Sequence, residues 1–372
     1  MKYLIKNIST VKRGSSPRPI INYIVKEGYP WLKISDFKFG DREVYETKEF
    51  IKPEGLKNTR YVKKGTLIVT NSATPGIPIF LGNDMCLHDG FLFFEKLNHD
   101  IVDIKYLYYY LLANRDKLMA KGNGSIFINL KKEILENYEI DIPSMQIQQH
   151  IVDTIGSIDD LIENNNTIII KLENIILNLY RKKSIEWKKQ VKIGDLFKCI
   201  LGGTPSTKKN EYWDGDIAWV NSGEVNKLRI VSPSRYITKD GLENSATKLL
   251  PKKTTVIAIT GATLGQVSLL EIDSCTNQSV IGILENNTLK HDFIYPMMIN
   301  AIKKLVLNKT GGAQQHINKN DVETFEIFVP SEIEYFEYSQ IVQPIFEYQS
   351  KLILQNKELL LLKNKYLQKF FG

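Results

Sequence analysis

Arginine, lysine, asparagine and glutamine can read the edges of bases, while lysine, arginine, serine, threonine and backbone amides can hold phosphates. Residues of these types gather in glycine- and proline-punctuated segments of this 372-residue chain. In the first half they are Lys12, Arg13 and Arg18, then Asn71 and Thr74, then a run that includes Asn123, Ser125, Lys131 and Lys132. In the second half they are Thr204, Ser206, Lys208 and Lys209, then Thr263 and Gln266, then Gln314, Gln315 and Lys319. Each of them also suits a plain turn or cap, so residue type nominates these positions without assigning them. The chemistry they offer is recognition of a polyanion.

Bond-making chemistry finds little support. A base methyltransferase needs a glycine-rich cofactor loop and an Asn/Asp-Pro-Pro-aromatic tetrapeptide, and the chain has no Pro-Pro pair. The glycine-rich stretch from Gly202 to Lys209 lacks the spacing of a nucleotide phosphate loop. Glu46-Thr47-Lys48, with Asp36 or Asp41 upstream, faintly matches a metal-nuclease set. The second half has no counterpart, so a solvated charged edge is the better reading. The five histidines form no relay; His88-Asp89 and Gln315-His316 could sit near DNA, but surface or packed roles suit them better. Trp31 and Trp219 read as core rather than stacking platforms. Cys86, Cys199 and Cys275 are scattered, which fits a reducing compartment and neither a disulfide framework nor a zinc site. No catalytic residue, metal ligand or cofactor is expected on this chain.

A net charge of +7 favours a phosphate-bearing partner, and 43% hydrophobic with 24% charged residues suits a soluble globular protein. No window approaches the roughly 18 apolar residues of a membrane span, and the N-terminus lacks a signal-peptide core. A cytoplasmic protein without a membrane partner is expected.

The elements that must position the candidates occur twice. Gly14-Ser15-Ser16-Pro17 matches Gly202-Gly203-Thr204-Pro205, and Trp31-Leu32-Lys33-Ile34-Ser35 matches Trp219-Val220-Asn221-Ser222, both 188 residues apart (205 − 17, 219 − 31). Ser72-Ala73-Thr74-Pro75-Gly76 matches Gly261-Ala262-Thr263-Leu264-Gly265, and the segment 122–129 matches 311–318. Ile140-Asp141-Ile142-Pro143-Ser144 matches Ile327-Phe328-Val329-Pro330-Ser331. Five matches in one order at nearly one offset describe two copies of one plan. Each copy opens with short β-rich runs, around 65–94 and 254–284, and the Ala-Thr-x-Gly elements belong in tight turns. Asn129 and Asn318 read as helix N-caps.

After each proline the pattern becomes helical. Ile151, Ile155, Ile158, Ile162, Asn165, Ile169, Leu172, Ile176 and Leu179 step by alternating fours and threes, a coiled-coil seam. Ile341, Ile345, Tyr348, Leu352, Gln355, Leu359, Leu362 and Tyr366 do the same. Ser331 and Glu334 have capping-box spacing, and Pro344 should kink or restart the second helix. The polar positions Asn165 and Gln355 are 190 apart (355 − 165) and are expected in one spacer layer. Ordinary amphipathic helices packed on their own domains remain an alternative. Some 35 helical residues would span roughly 50 Å, against 34–36 Å for a turn of B-DNA, so paired helices would act as a ruler between two reading heads.

Several of these segments resemble the specificity subunit of type I restriction-modification systems. They are Gly202-Gly203-Thr204-Pro205-Ser206, the run Trp213 to Val220, Thr260-Gly261-Ala262-Thr263-Leu264-Gly265, Gly311 to Gln315, and Val329-Pro330 before a long helix. The first half is a looser version, in Arg13-Gly14-Ser15-Ser16 and Asn71 to Gly76. The resemblance implies two target-recognition domains at 1–144 and 186–331, with long spacer helices at 145–185 and 332–372. It implies an α+β chain with two β-rich domains carrying small helices, separated by two antiparallel helices in a pseudo-two-fold coiled-coil spacer. It also implies double-stranded DNA with a split recognition sequence as target, and methyltransferase and restriction subunits as partners. S-adenosylmethionine, ATP and Mg2+ would belong to those partners, which modify an adenine taken out of the stack. Two other readings stay open: a free-standing site-specific nuclease or methyltransferase, and a coiled-coil interaction scaffold.

Overall fold

A computed structural model describes residues 1–37, 40–121, 129–307 and 316–372. The chain divides into two compact units, Met1–Asp160 with Leu360–Gly372, and Leu161–Leu359. Both divisions fall inside 40-residue helices, Met145–Ser184 and Glu332–Phe371.

In the first unit, Lys2–Leu4 pairs antiparallel with Glu139–Asp141, joining the start of the globular part to its end. The main sheet runs in the order Thr10–Arg13, Phe91–Glu95, Leu67–Thr70, Pro78–Leu81, Glu43–Val44. Its central strands are nearly unbroken apolar runs because both faces are covered. Side chains alternate across a strand. Leu67 and Val69 therefore face a core with Tyr106, Leu107, Tyr109 and Ile155, while Ile68 joins Leu32, Val44 and Met85 on the other side. The covering helix, Ile104–Ala113, starts where Asp103 accepts bonds from the amides of Lys105 and Tyr106 at 2.7 and 3.1 Å.

The second unit repeats this plan. Lys189–Lys192 pairs with Glu326–Val329. The main sheet runs Cys199–Leu201, Val280–Ile283, Thr255–Ala258, Val267–Leu270, Arg229–Ile230. Each sheet has three antiparallel pairings and ends on a parallel one. In the first unit's other five-stranded sheet Trp31 lies parallel to Cys86, and in the second unit's three-stranded sheet Trp219 lies parallel to Cys275. Both tryptophans are core residues, 4% and 7% exposed.

The repeated glycines have physical reasons. A Cβ on Gly14 would stand 2.1 Å from the carbonyl oxygen of His88, and one on Gly202 would stand 2.2 Å from that of Asn277. Only glycine permits this backbone approach. Gly76 and Gly265 have φ of +84° and +80° and close equivalent turns onto the carbonyls of Thr70 and Ala258.

The two long helices repeat at the spacing of Pro143 and Pro330 (330 − 143 = 187), not at 190. Buried positions match at that offset: Gln148 with Tyr335, Ile151 with Tyr338, Ile155 with Val342, Asp159 with Phe346, Ile169 with Asn356, Tyr180 with Leu367. The seam expected on the second helix is therefore displaced. Ile341, Tyr348 and Leu362 are 52%, 48% and 41% exposed, and the buried stripe includes Val342, Phe346, Gln349, Asn356 and Lys363. Three of those are polar, so a search for apolar types slid onto the neighbouring face. The Ser331–Glu334 capping box is formed, with the Ser331 amide 2.7 Å from the carboxylate. The second helix runs unbroken through Pro344, which faces solvent, where the carbonyl it orphans can bond water. Pro296 lies inside the buried helix His291–Leu307, and there the Tyr338 hydroxyl donates to the freed Asp292 carbonyl at 3.0 Å.

Within the second unit the long helices run antiparallel. Asn165 donates to Gln355 at 3.1 Å and to Asn356 at 2.8 Å, Asn356 donates to Asn166 at 2.8 Å, and Gln349 donates to the Ile169 carbonyl at 3.1 Å. Gln355 is exposed, and the buried member of the layer is Asn356. Asn356→Ala removes its bonds to Asn165 and Asn166 and should lower stability by about 1–2 kcal/mol in urea unfolding; an unchanged midpoint would remove the layer from the account. In the first unit the buried Asp159 meets Lys363 at 2.7 Å and accepts from the Tyr109 hydroxyl at 2.8 Å.

Glu271, buried in the second unit, responds to acid. Burial raises its pKa, but hydrogen bonds from Lys253 at 2.7 and 2.9 Å and from Ser350 at 2.6 Å outweigh it and hold the carboxyl below 4.5. A depressed folded pKa gives stability that is present above the unfolded value and is lost as pH falls through the folded one. Glu271→Gln should flatten the acid limb of the stability profile below about pH 4.5; an unaltered limb would contradict this.

Candidate DNA-recognition surface

In the first unit the candidates converge on a residue the sequence reading had set aside, Asp89. Arg13 donates through Nε to the Asp89 carbonyl at 2.8 Å, and its guanidinium lies 4.0 Å from the carboxylate. Arg18 approaches the same carboxylate at 3.7 Å with its side chain 82% exposed. Ser16 donates to Asp89 at 3.0 Å, and the Asn71 amide donates to its carbonyl at 3.1 Å. His88 Nδ1 accepts from the Gly90 amide at 2.9 Å, so Nε2 carries the proton and faces Asp89 at 3.0 Å. Burial lowers the His88 pKa, against the opposing pull of Asp89, and keeps the ring neutral at pH 7.

Two clefts flank this cluster. One, of about 360 Å³, is lined by Arg13, Asn71, Ser72 and the run Asn129 to Glu133, which includes Lys131 and Lys132. The other, of about 580 Å³, is lined by residues including Arg18, Trp31, His88 and Asp89. The structure thus brings Arg13, Asn71, Lys131 and Lys132 together, with Arg18 beside them. The Leu130 amide bonds the Asn71 carbonyl at 2.8 Å, which seats the basic segment against the turn. Lys12 instead pairs with Glu95 at 2.7 Å, and Lys132 pairs with Glu136 at 3.3 Å. Thr74 sits exposed in the 70–76 turn, its carbonyl accepting from the Thr70 hydroxyl at 2.6 Å. Asn129 is not an N-cap: the helix Lys132–Glu136 begins after Lys131, leaving Asn129 exposed in the cleft wall. Asn123 and Ser125 lie outside the described residues, as do Gln314 and Gln315.

The second unit places its candidates on equivalent elements. Thr204 donates to Gln278, which stands where Asp89 stands in the first copy (278 − 89 = 189). The Ser206 carbonyl accepts from Trp213 Nε1 at 3.2 Å. Lys208 is exposed, and Lys209 bonds the Tyr212 hydroxyl at 2.8 Å. Thr263 and Gln266 share one turn, the Gln266 amide donating to the Thr263 carbonyl at 3.0 Å. Ile317 donates to the Ile259 carbonyl at 3.0 Å, repeating the Leu130 bond, and Asn318 caps the helix that Lys319 begins. Lys319 pairs with Glu323 at 3.2 Å. Gln278 escaped the sequence reading because its neighbours match no motif; only the offset from Asp89 would have found it.

The type I restriction modification DNA specificity domain model matches the chain twice, over residues 1–174 and 184–364. The chain belongs to this family. The MjaIX specificity subunit of Methanocaldococcus jannaschii is 25% identical over 393 residues, covering 96% of this chain and 89% of that protein. The EcoR124I/EcoR124II specificity subunit of Escherichia coli is 26% identical over 251 residues, covering 61% of this chain and 59% of its own. The crystal structure of an S subunit from M. genitalium superposes with a TM-score of 0.63 at 15% identity, covering 100% and 96% of the two chains, which shows a shared fold. As a type I specificity subunit, this chain carries two target-recognition domains, and DNA binding follows from the family.

Glu46 is exposed, Lys48 bonds the Ser35 carbonyl at 3.4 Å, and Asp36 closes a turn onto the Lys33 amide at 2.8 Å. Among the described residues no group of three His, Cys, Asp or Glu side chains is placed to hold a metal ion. Burial pushes the Cys86 thiol up to about 11 and Cys199 to about 12, far from reactive thiolates. Among the described residues no helix is long and apolar enough to cross a membrane.

Proposed function

We propose that this chain is the non-catalytic, address-reading subunit of a cytoplasmic type I restriction-modification assembly. Each target-recognition domain reads one short element of a duplex, so the target is split around a gap that is not read. The chain positions methyltransferase subunits and, in the full complex, restriction subunits. S-adenosylmethionine, ATP and Mg2+ act on those partners. The observation that carries this reading is the duplication itself. The main sheets of the two copies share one strand order, and each copy sets a Ser or Thr hydroxyl of the glycine turn on an acceptor at one equivalent position, Ser16 on Asp89 and Thr204 on Gln278.

Duplex binding by the assembled complex should weaken steeply with salt, because lysines and arginines release counterions from phosphates. Binding measured from 50 to 200 mM salt should fall by about 10³-fold or more if six or more phosphates are neutralised. The purified chain should transfer no methyl group and cut no DNA. Metal-dependent cleavage by the chain alone, lost in Glu46→Ala, would overturn the reading.

A further inference from the structure

The two copies fill one equivalent interior space differently. In the second unit the fully buried ring of Phe346 is enclosed by Arg229 at 5.1 Å, His291 at 5.5 Å and Tyr295 at 6.0 Å. The residues 187 positions earlier, Arg42, Ile104 and Tyr108, line a cavity of about 450 Å³ in the first unit. At the position of Phe346 the first copy has Asp159, whose carboxylate is turned toward the Tyr109 hydroxyl at 2.8 Å and Lys363 at 2.7 Å. Gly156 lines the same cavity and offers no side chain to fill it. A Cβ there would meet only the Tyr109 hydroxyl, at 3.7 Å.

We propose that this cavity in the first target-recognition domain is a binding site for a neutral, planar aromatic ring, whose place in the second domain is permanently taken by Phe346. The second copy shows what the site accepts, since its guanidinium and tyrosine already hold a phenyl ring. Guanidinium and aromatic faces both stack on such rings. Phe80, Ile104 and Tyr108 supply apolar wall. Arg42 is held by Asp160 at 2.8 Å, and the described lining has three cationic and three acidic side chains, which selects against a charged ligand. The volume falls in the range of small-molecule pockets.

The probe is p-cresol, added to the full-length chain and followed by ligand-observed NMR and calorimetry. A ring of about eight heavy atoms in a pre-formed pocket should bind with a dissociation constant on the order of 0.1–1 mM. One site is expected. Gly156→Leu sends a side chain into the cavity without burdening the helix and should weaken binding at least tenfold. Phe346→Ala opens the equivalent space and should raise the count from one site to two. Absence of binding to the natural chain, or binding that survives Gly156→Leu, overturns the proposal; the second result stands even if Phe346→Ala fails to fold. Repeating the titration on the assembled complex separates the sources. A partner's aromatic side chain would displace p-cresol, whereas a site for a free aromatic molecule would stay open to it.

Discussion

Arg229→Ala is expected to cost the second unit about 3–5 kcal/mol, the usual effect of stripping one partner from a buried charge pair. The Arg229 side chain is fully buried. It donates to Gln349 and, at 2.8 Å, to the Leu228 carbonyl, and lies 3.8 Å from Glu173. Glu173 also accepts from Tyr295 at 2.8 Å and from Gln349 at 2.9 Å. The guanidinium packs over the rings of Tyr295 and Phe346, at 4.4 and 5.1 Å. Alanine would remove that stack and leave the Glu173 carboxylate buried without its cation. Arg229→Lys should rescue little, because an ammonium cannot reproduce the planar fork or the stacking. Urea unfolding followed by circular dichroism measures the loss. A change below about 1 kcal/mol would show that the network is not a major support.

Replacing both Arg13 and Arg18 with alanine should weaken specific binding by the assembled complex about 10- to 100-fold, the usual worth of one good base contact or several phosphate contacts. These side chains share Asp89, which orients them beside the cleft lined by Asn71, Lys131 and Lys132. If they contact phosphates, the slope of affinity against salt should fall by about one for each arginine. If they read bases, the slope should hold while discrimination at the first half-site relaxes. Thr204→Val should leave the first half-site intact and affect only the second. Fluorescence anisotropy on duplexes altered in one half at a time makes the comparison. Equal effects of all these variants on both halves would refute separate reading.

Much of the duplication was legible because its markers are backbone necessities. Gly14 and Gly202 must be glycine for the chain to pass a carbonyl, and Gly76 and Gly265 must reach positive φ, so spacing alone revealed equivalent turns. The long helices were legible as helices, since apolar residues recur at their period. The buried face of the second was not. Gln349, Asn356 and Lys363 occupy buried positions that an apolar search rejects, and each is satisfied by a partner far away in sequence, Glu173, Asn165 or Asp159. The recognition candidates were legible by type only. Asp89 and Gln278, which organise the two clusters, look like ordinary loop residues until the fold brings Ser16 and Thr204 onto them.

Mapping the methylated adenines in a genome that carries this chain with the methyltransferase subunit proposed as its partner tests the central claim most directly. Two short sequence elements at a fixed separation are predicted, with the first altered by Arg13 and Arg18 variants and the second by Thr204 variants. One continuous motif, or methylation that both sets of variants change in the same way, would contradict the account.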